Sequence, residues 1–342
     1  MDLNFEYVGQ AVVIIVFGLA ALIGYFFGSN WLLDTIFADV VTPDGHVTKS
    51  REGIREAIRP WLFVGPAVIL LGLYLVYPAI QTFILSFFDA NGDDFVGLSN
   101  YQWAFGDATF RQAISNNILW LLIVPSMSTA IGLLVAVLAD NVRWGSIAKS
   151  LVFTPMAISF VGASVIWKFV YDYRGPDNPQ IGVLNAIVQA LGGEPQPWIT
   201  LQPVVNSLLL MVILIWIQTG FAMVVLSAAL RGVPDETLEA ARIDGANEIR
   251  IFFNIMIPQI VGTILVVWTT ITITVLKVFD IVLAMTNGQW DTDVLANLMY
   301  NWMFRGGGDY GRAGAIATVI MIAVIPILVW NIRRFQQEEA LR

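Results

Sequence analysis

The chain has 342 residues, of which 57% are hydrophobic and 13% are charged. A soluble domain usually carries about a quarter of its residues as charged side chains, so this composition excludes a soluble globular protein and predicts a chain embedded in a bilayer. The sequence contains no cysteine, which excludes disulfides and catalytic thiols, and its net charge of −8 argues against nucleic acid as a partner.

Apolar runs long enough to cross a hydrocarbon core of about 30 Å occur along the whole chain. The first run has no Lys or Arg before it, so it lacks the positive segment of a cleaved signal peptide and is predicted to be a true span. The predicted spans are Val8–Phe27, Trp61–Phe88, Ile114–Ala139, Ile147–Tyr171, Val204–Leu230, Ile260–Met285 and Arg312–Asn331.

The Lys and Arg residues fall mostly on one side of these spans. Because cytoplasmic connections are enriched in cations, the distribution predicts an external N-terminus and a cytoplasmic C-terminus. The external connections are then either simple connectors or a docking surface for an external protein, and they comprise Asp89–Ala113, Asp172–Pro203 and Thr286–Gly311.

Ionisable side chains are scarce within the internal spans. Lys168, Lys277 and Asp280 all lie near the external ends, where Lys277 and Asp280 are spaced to pair on one helical face. The membrane midplane therefore lacks the titratable group that an ion-coupled transporter needs. A phosphate-binding loop is also missing from the sequence, so the chain is predicted to be neither an enzyme nor the site of a cofactor.

A polar segment, Glu239–Pro258, interrupts the apolar spans on the cytoplasmic side. Val233–Glu236 has the composition of a helix start, and the helix is predicted to reach Ile243 and to stop at Gly245. A second short helix is predicted over Asn247–Met256. This hairpin would lie on the lipid headgroups or bind a protein, and its acidic residues favour a protein because anionic lipid repels them.

Three features of this segment carry a family resemblance. Glu239-Ala240-Ala241, Gly245 and Ile255-x-Ile257-Pro258 resemble the EAA loop of permeases in ATP-binding-cassette (ABC) importers, although the family prefers leucine where Ile257 stands. Further segments resemble the sugar-importer branch: Trp216–Phe221, Lys277–Asp280 and Thr286–Gly288. The resemblance covers roughly Trp61 to Arg334 and leaves the first span outside.

The resemblance implies an all-α polytopic membrane protein with a six-helix type I ABC importer core and one extra N-terminal helix. Residues 1–60 would form that helix and a cytoplasmic linker. Residues 61–334 would form the permease core with its coupling loop at 233–258, and residues 335–342 a cytoplasmic tail. The location implied is the bacterial inner membrane.

The resemblance also implies an assembly. The chain would form half of a solute path with a second, different permease chain, two ATPase subunits that hold ATP and magnesium, an external sugar-binding protein and the surrounding lipid. It would itself bind no cofactor. The residues implied to couple it to the ATPases are Asp235, Glu236, Glu239, Ala240, Ala241 and Gly245.

The two spans that flank the coupling loop offer candidate solute contacts, namely Trp216, Gln218, Phe221, Thr270 and Thr274. Ordinary helix packing is the alternative interpretation, since threonine hydroxyls can bond to their own backbone. Trp216 and Phe221 match sugar-contacting positions of the disaccharide branch, whereas Val275 and Val278 replace polar amides there.

The solute class is also inferred from resemblance. The extra first span and the segment Gln289–Asp293 resemble α-glucoside permeases, whose solutes would be sugars such as maltose, trehalose or sucrose. The alternatives are a permease for another solute such as glycerol 3-phosphate, an ion-coupled transporter, and a structural or receptor-like membrane protein.

Overall fold

The computed structural model describes residues 5–41, 47–49, 51–140, 142–175, 177–200, 203–306 and 308–340. By internal contacts the chain divides into two compact units, Met1–Gln81 and Thr82–Arg342. Residues 61–81 thus group with the N-terminal helix. The functional division at residue 61 stays a prediction.

The first unit is built around a helical hairpin of α1 (Phe5–Ile36) and α2 (Glu52–Leu71). A two-stranded antiparallel ribbon of β1 (Val40–Val41) and β2 (Val47–Lys49) lies in the connection. Two ion pairs fasten the ends of the hairpin: Asp39 to Arg55 at 2.8 Å and Asp34 to Arg59 at 3.0 Å. Helix α1 extends beyond the predicted end at Phe27 to Ile36, and its last turns carry Asp34.

Two spans contain a π-helical turn directly before a proline-containing helix. Gly72–Val76 precedes α3 (Tyr77–Leu85), and Phe252–Met256 precedes α12 (Ile257–Val275). In the second case the Ile257 amide bonds to the Phe252 carbonyl, five residues back. The wider turn suits Pro258, which has no amide hydrogen and whose ring crowds the carbonyl four residues earlier.

The second unit contains the remaining helices. Their bounds are α4 (Ser99–Gly106), α5 (Ala108–Asp140), α6 (Gly145–Phe153), α7 (Phe160–Val170), α8 (Val183–Ala190), α9 (Val205–Leu230), α10 (Asp235–Ile243), α11 (Glu248–Ile251), α12, α13 (Asp280–Met285), α14 (Leu295–Phe304) and α15 (Tyr310–Ala340). Helix α11 and α12 form one continuous helix, Glu248–Val275, through the π turn. The prediction of a separate short helix over Asn247–Met256 was therefore wrong.

The core of this unit is the contact between α5 and α9. Gly132 allows the two helices to approach closely, since a Cβ atom there would lie 2.5 Å from the Cβ of Ala222. Trp120 on α5 and Leu210 on α9 are also fully buried. Helix α9 is the most buried of the candidate spans, as expected for an element at the centre of the unit.

The predicted span Ile147–Tyr171 was wrong as a single helix. Gly145–Ala157 and Phe160–Val170 are separate helical segments that meet at an angle of 108°. Pro155 lies in a 3-10 turn at the end of the first segment, and the Ser159 hydroxyl caps the second by accepting the Gly162 amide at 3.1 Å. A proline followed by a capping serine ends one helix and starts another.

The predicted span Ile260–Met285 is also interrupted. Helix α12 ends at Val275, and α13 begins at Asp280 with Phe279 as its non-helical cap. Lys277 and Asp280 therefore do not share one helical face, and no ion pair joins them in the described part of the chain. In the part of the chain that the structure describes, six helices are long and apolar enough to cross a membrane, or seven if the bent pair is one span.

Candidate functional site

A helical hairpin of α10 and the start of α11 follows α9. Gly245 adopts φ +82°, its amide bonds to the Arg242 carbonyl, and the Ala246 amide bonds to the Ala241 carbonyl. These bonds form a Schellman motif, in which glycine supplies the left-handed residue that ends a helix. The Asn247 side chain then caps α11 by accepting the Arg250 amide at 2.8 Å. The predicted helix end at Ile243 and the predicted helix stop at Gly245 are confirmed.

An ion pair links the two arms of the hairpin. Arg242 donates from Nε to Glu248 Oε1 at 2.9 Å and from Nη2 to Oε2 at 3.4 Å. The hydrogen bond from Arg242 to Glu248 is the largest cause that raises the pKa of the guanidinium, followed by the attraction of the Glu248 charge. Both side chains are exposed, so the pair links the two arms but adds little stability.

The predicted coupling residues all lie on this hairpin. Ala241 is buried against the rest of the unit, and the other five are exposed. The side chain of Glu239 forms no hydrogen bond or ion pair with another residue that the structure describes. Its charge attracts Arg242 without a hydrogen bond, and because the side chain is exposed the carboxylate is accessible to a partner.

The exposure of an apolar surface on the same hairpin was not predicted from the sequence. Ile243 is 86% exposed, and Ile249 and Phe253 are also largely exposed. Ile249 and Phe253 are four residues apart on one continuous helix, so they share a face. The available signal was the presence of large apolar residues among charges, which indicates a surface that a protein covers.

A second feature that sequence analysis missed is an ionic junction at the base of the hairpin, formed by Asp140, Lys149, Ser227 and Arg231. The Asp140 carboxylate accepts hydrogen bonds from Lys149 and from the Ser227 hydroxyl. Arg231 Nη1 lies 3.7 Å from the same carboxylate. The junction joins the ends of α5 and α9 to α6, at the point where the chain leaves α9 for the hairpin.

A cavity of about 840 Å³ lies between this junction and the hairpin. Its charged lining includes Asp140 and Arg231 on one side and Asp235, Arg242 and Glu248 on the other. The apolar lining comes from Val137, Leu230, Val233, Leu238, Phe252 and Met256.

The candidate solute contacts on α9 are half-buried and do not share one face. Trp216 packs edge-to-face on Trp167 of α7, with ring centroids 5.8 Å apart. Gln218 and Phe221 project on another side of α9, since successive helical residues rotate by about 100°. Gly220 next to them contacts the α6 segment, where a Cβ atom would lie 2.7 Å from the Val152 carbonyl oxygen.

The threonine hydroxyls of α12 bond to their own helix. Thr270 donates to the Val266 carbonyl at 2.8 Å, and Thr274 donates to the Thr270 carbonyl at 3.2 Å. Thr270 is exposed and Thr274 half-buried, so their oxygens can still accept a hydrogen bond from a solute. Among the described residues, Thr270 and Thr274 do not line an enclosed pocket together with the candidate residues of α9.

Comparison with known proteins identifies the family. The family model described as "Binding-protein-dependent transport system inner membrane component" matches residues 108–337, which is more than half of the chain. The chain belongs to this family. Membership confirms the prediction of a multi-pass inner-membrane permease and is inconsistent with an ion-coupled transporter or a receptor.

Two curated members of the family are similar over most of their length. The alpha-glucoside transport system permease protein AglF of Rhizobium meliloti (strain 1021) is 62% identical over 328 residues, which cover 96% of this chain and 97% of that protein. The osmoprotective compounds uptake permease protein GgtC of Synechocystis sp. is 52% identical over 281 residues, or 82% of this chain and 100% of that protein.

A solved structure of the family's fold is also similar. A chain of a bacterial ABC transporter involved in the import of the acidic polysaccharide alginate gives a TM-score of 0.68 at 22% identity. The match covers 82% of this chain and 98% of that chain. It confirms the predicted all-α type I permease fold.

Proposed function

We propose that the chain is the membrane subunit of an ATP-driven importer for α-glucosides such as maltose, trehalose or sucrose. The observation that carries the proposal is the 62% identity to an α-glucoside permease across 96% of the chain. A second candidate class is osmoprotective solutes, which the 52% identical relative suggests.

The working assembly in this proposal has two permease chains, two ATPase subunits and an external solute-binding protein. The second permease is a different chain, and ATP with magnesium is bound by the ATPases alone. The distribution of cations supports a cytoplasmic C-terminus and an external N-terminus. The hairpin of α10 and α11 then lies in the cytoplasm.

The geometry of the hairpin supports its assignment as the ATPase contact. It presents the exposed carboxylate of Glu239 on the same hairpin as the exposed apolar side chains of Ile243 and Ile249. An apolar centre next to charge is typical of a protein interface. Because α11 continues into α12 without a break, a displacement of the hairpin is transmitted to a span that carries Thr270 and Thr274.

Reconstitution tests the proposed solute class. The complete transporter in proteoliposomes, supplied with its binding protein, should accumulate labelled trehalose, sucrose or maltose only when ATP is inside. Glycerol 3-phosphate serves as the control solute. Uptake of osmoprotective solutes without any α-glucoside uptake would favour the second candidate class, and uptake without ATP would contradict the proposal.

Substitution of Glu239 tests the proposed coupling. Glu239→Lys should abolish the stimulation of ATP hydrolysis by solute-loaded binding protein, because it reverses the charge of the exposed carboxylate. Glu56→Lys makes the same change at an exposed acid of α2, outside the hairpin and outside the external connections, and should leave stimulation intact. Full stimulation of assembled Glu239→Lys transporter would show that this side chain is not part of the contact.

A further inference from the structure

The short helix α8 carries an apolar stripe that none of the described residues of the second unit covers. Val183, Ala186, Ile187, Ala190 and Leu191 are exposed and follow the spacing of one helical face. Leu191, directly after the helix, is 83% exposed. A stripe of this kind on a surface in contact with water would be unfavourable and indicates a partner.

The opposite face of α8 is fixed to the protein by Asn185, which is fully buried. Its amide nitrogen donates to the carbonyls of Asp172 at 2.9 Å and Gln196 at 3.0 Å. Its amide oxygen accepts from the Gln196 amide at 2.9 Å and from Trp198 Nε1 at 3.0 Å. The orientation of the exposed stripe is therefore set by a buried polar contact.

Several residues place α8 at the end of the membrane-spanning region. Lys168 is exposed in the last turn of α7, as expected of a lysine that extends its amine to the headgroups. Tyr171 donates from its hydroxyl to the Leu209 carbonyl in α9. Trp198, bonded to Asn185, adds a ring of the kind that concentrates at the membrane–water boundary.

Helix α7 carries an exposed apolar surface of its own. Val161, Val165 and Phe169 form an exposed apolar row, on a side of α7 different from that of Trp167 and Tyr171, which pack inward. Helices α7 and α8 are in contact. The stripe of α8 contains no charged residue that would bind a water-soluble partner through ion pairs.

We propose that α8 is an interfacial helix whose apolar stripe lies in the acyl boundary of the membrane leaflet opposite the α10–α11 hairpin. Lipid is the occupant that fits an uncharged stripe at the level of Lys168 and Trp198. The helix then holds the connection between α7 and α9 at a fixed depth. This inference does not depend on the solute or on the ATPase contact.

Spin labelling tests the proposal directly, because the chain contains no cysteine. Single-cysteine variants Ile187→Cys and Leu191→Cys would carry a nitroxide in the complete transporter, reconstituted in phospholipid bilayers. Gln189→Cys, an exposed polar position on the same helix, is the matched control. The label's relaxation by oxygen, which enters lipid, is compared with relaxation by a water-soluble nickel chelate.

The proposal expects labels at 187 and 191 to be relaxed more by oxygen than by the chelate, and the label at 189 to show the reverse. Equal access of the chelate at all three positions would place the stripe in water and overturn it. Immobile labels shielded from both reagents would show that a protein covers the stripe, which also overturns it. Val183→Cys replaces either variant if labelling abolishes ATP-driven uptake.

Discussion

Asp140 connects three helices through one carboxylate. It accepts hydrogen bonds from Lys149 and Ser227, and the Arg231 guanidinium lies within ion-pairing distance. The side chains of Asp140 and Lys149 are 31% and 19% exposed, so their pairing is only partly screened by water. Any movement of Arg231 with the hairpin changes the charge balance around this carboxylate.

Removal of the Asp140 charge should destabilise the permease. Asp140→Asn leaves Lys149 half-buried without a counterion, and we expect the free energy of unfolding to fall by about 1–2 kcal/mol. Asp34→Asn removes an exposed pair with Arg59 and should cost at most about 1 kcal/mol. Denaturation of the two purified variants in detergent measures the change in the free energy of unfolding. Equal losses in the two variants would contradict a special role for the ionic junction.

The stability of the folded protein should depend on pH through the carboxyl group of Asp293. Burial raises the pKa of its carboxyl group, and hydrogen bonds from Asn297 and the Val294 amide act in the opposite direction. The folded protein therefore holds this proton more tightly than the unfolded chain does. The contribution of Asp293 to the free energy of unfolding is therefore stabilising below the unfolded-state pKa near 3.8. This contribution is lost as the pH rises through the folded-state pKa.

Asp293→Asn removes this titration while keeping an oxygen that can accept the two bonds. Its stability relative to the wild type should increase as the pH is raised from acid towards neutral, as measured by thermal denaturation. Asp291→Asn changes an exposed neighbour in the same loop and should follow the wild-type profile. If the difference in stability between Asp293→Asn and the wild type did not change with pH, burial would not be what raises the pKa of this carboxyl group.

A residue's structural role could be predicted from the sequence when it depends on neighbours in the chain, and could not when it depends on a distant partner. Gly245 could be assigned because a helix end and its glycine lie together in the chain. The bond from Ser227 to Asp140 spans 87 residues, and without the fold nothing distinguishes Asp140 from other acids near helix ends. The coupling role of Glu239 stays a prediction.

At the scale of elements, hydropathy located the spans but not their interruptions. The apolar run through Pro155 and Ser159 reads as one span, because the residues on both sides of the 108° bend are equally apolar. The proline and the capping serine were the local signals of the break. Conversely, Pro258 suggested a boundary where the helix continues, because the π turn before it accommodates the ring.

Because α5 packs closely on α9, any side chain added at Gly132 should lower the free energy of unfolding. Gly132→Ala would place a methyl group 2.5 Å from the Cβ of Ala222 and 2.8 Å from the Met223 amide nitrogen. We expect a loss of about 1–3 kcal/mol in the free energy of unfolding. Gly262→Ala, in α12 with open space around it, is the control.

Denaturation of both glycine variants measures the difference. Gly262→Ala should be neutral or slightly stabilising, since alanine restricts the unfolded chain. A neutral Gly132→Ala would mean that the two helices can separate without cost, which contradicts the assignment of their contact as the core of the unit.

At the scale of the whole molecule, the chain exposes apolar surface of different kinds. The spans α1 and α2 expose most of their side chains, as expected for elements that contact lipid. Ile243, Ile249 and Phe253 are exposed on a polar hairpin, where lipid is a poor partner. Sequence reasoning placed the hairpin correctly between spans, but the exposed apolar patch required the folded arrangement of its two arms.

The central claim is that an ATPase subunit holds the hairpin, and site-specific cross-linking tests it most directly. In the cysteine-free chain, Ala240→Cys introduces one reactive thiol on α10, and Gln189→Cys introduces one on α8 as a control. A photoactivatable reagent attached at position 240 in the active transporter should link the chain to the ATPase subunit, and the reagent at position 189 should not. An active transporter whose position 240 links only to lipid would contradict the account.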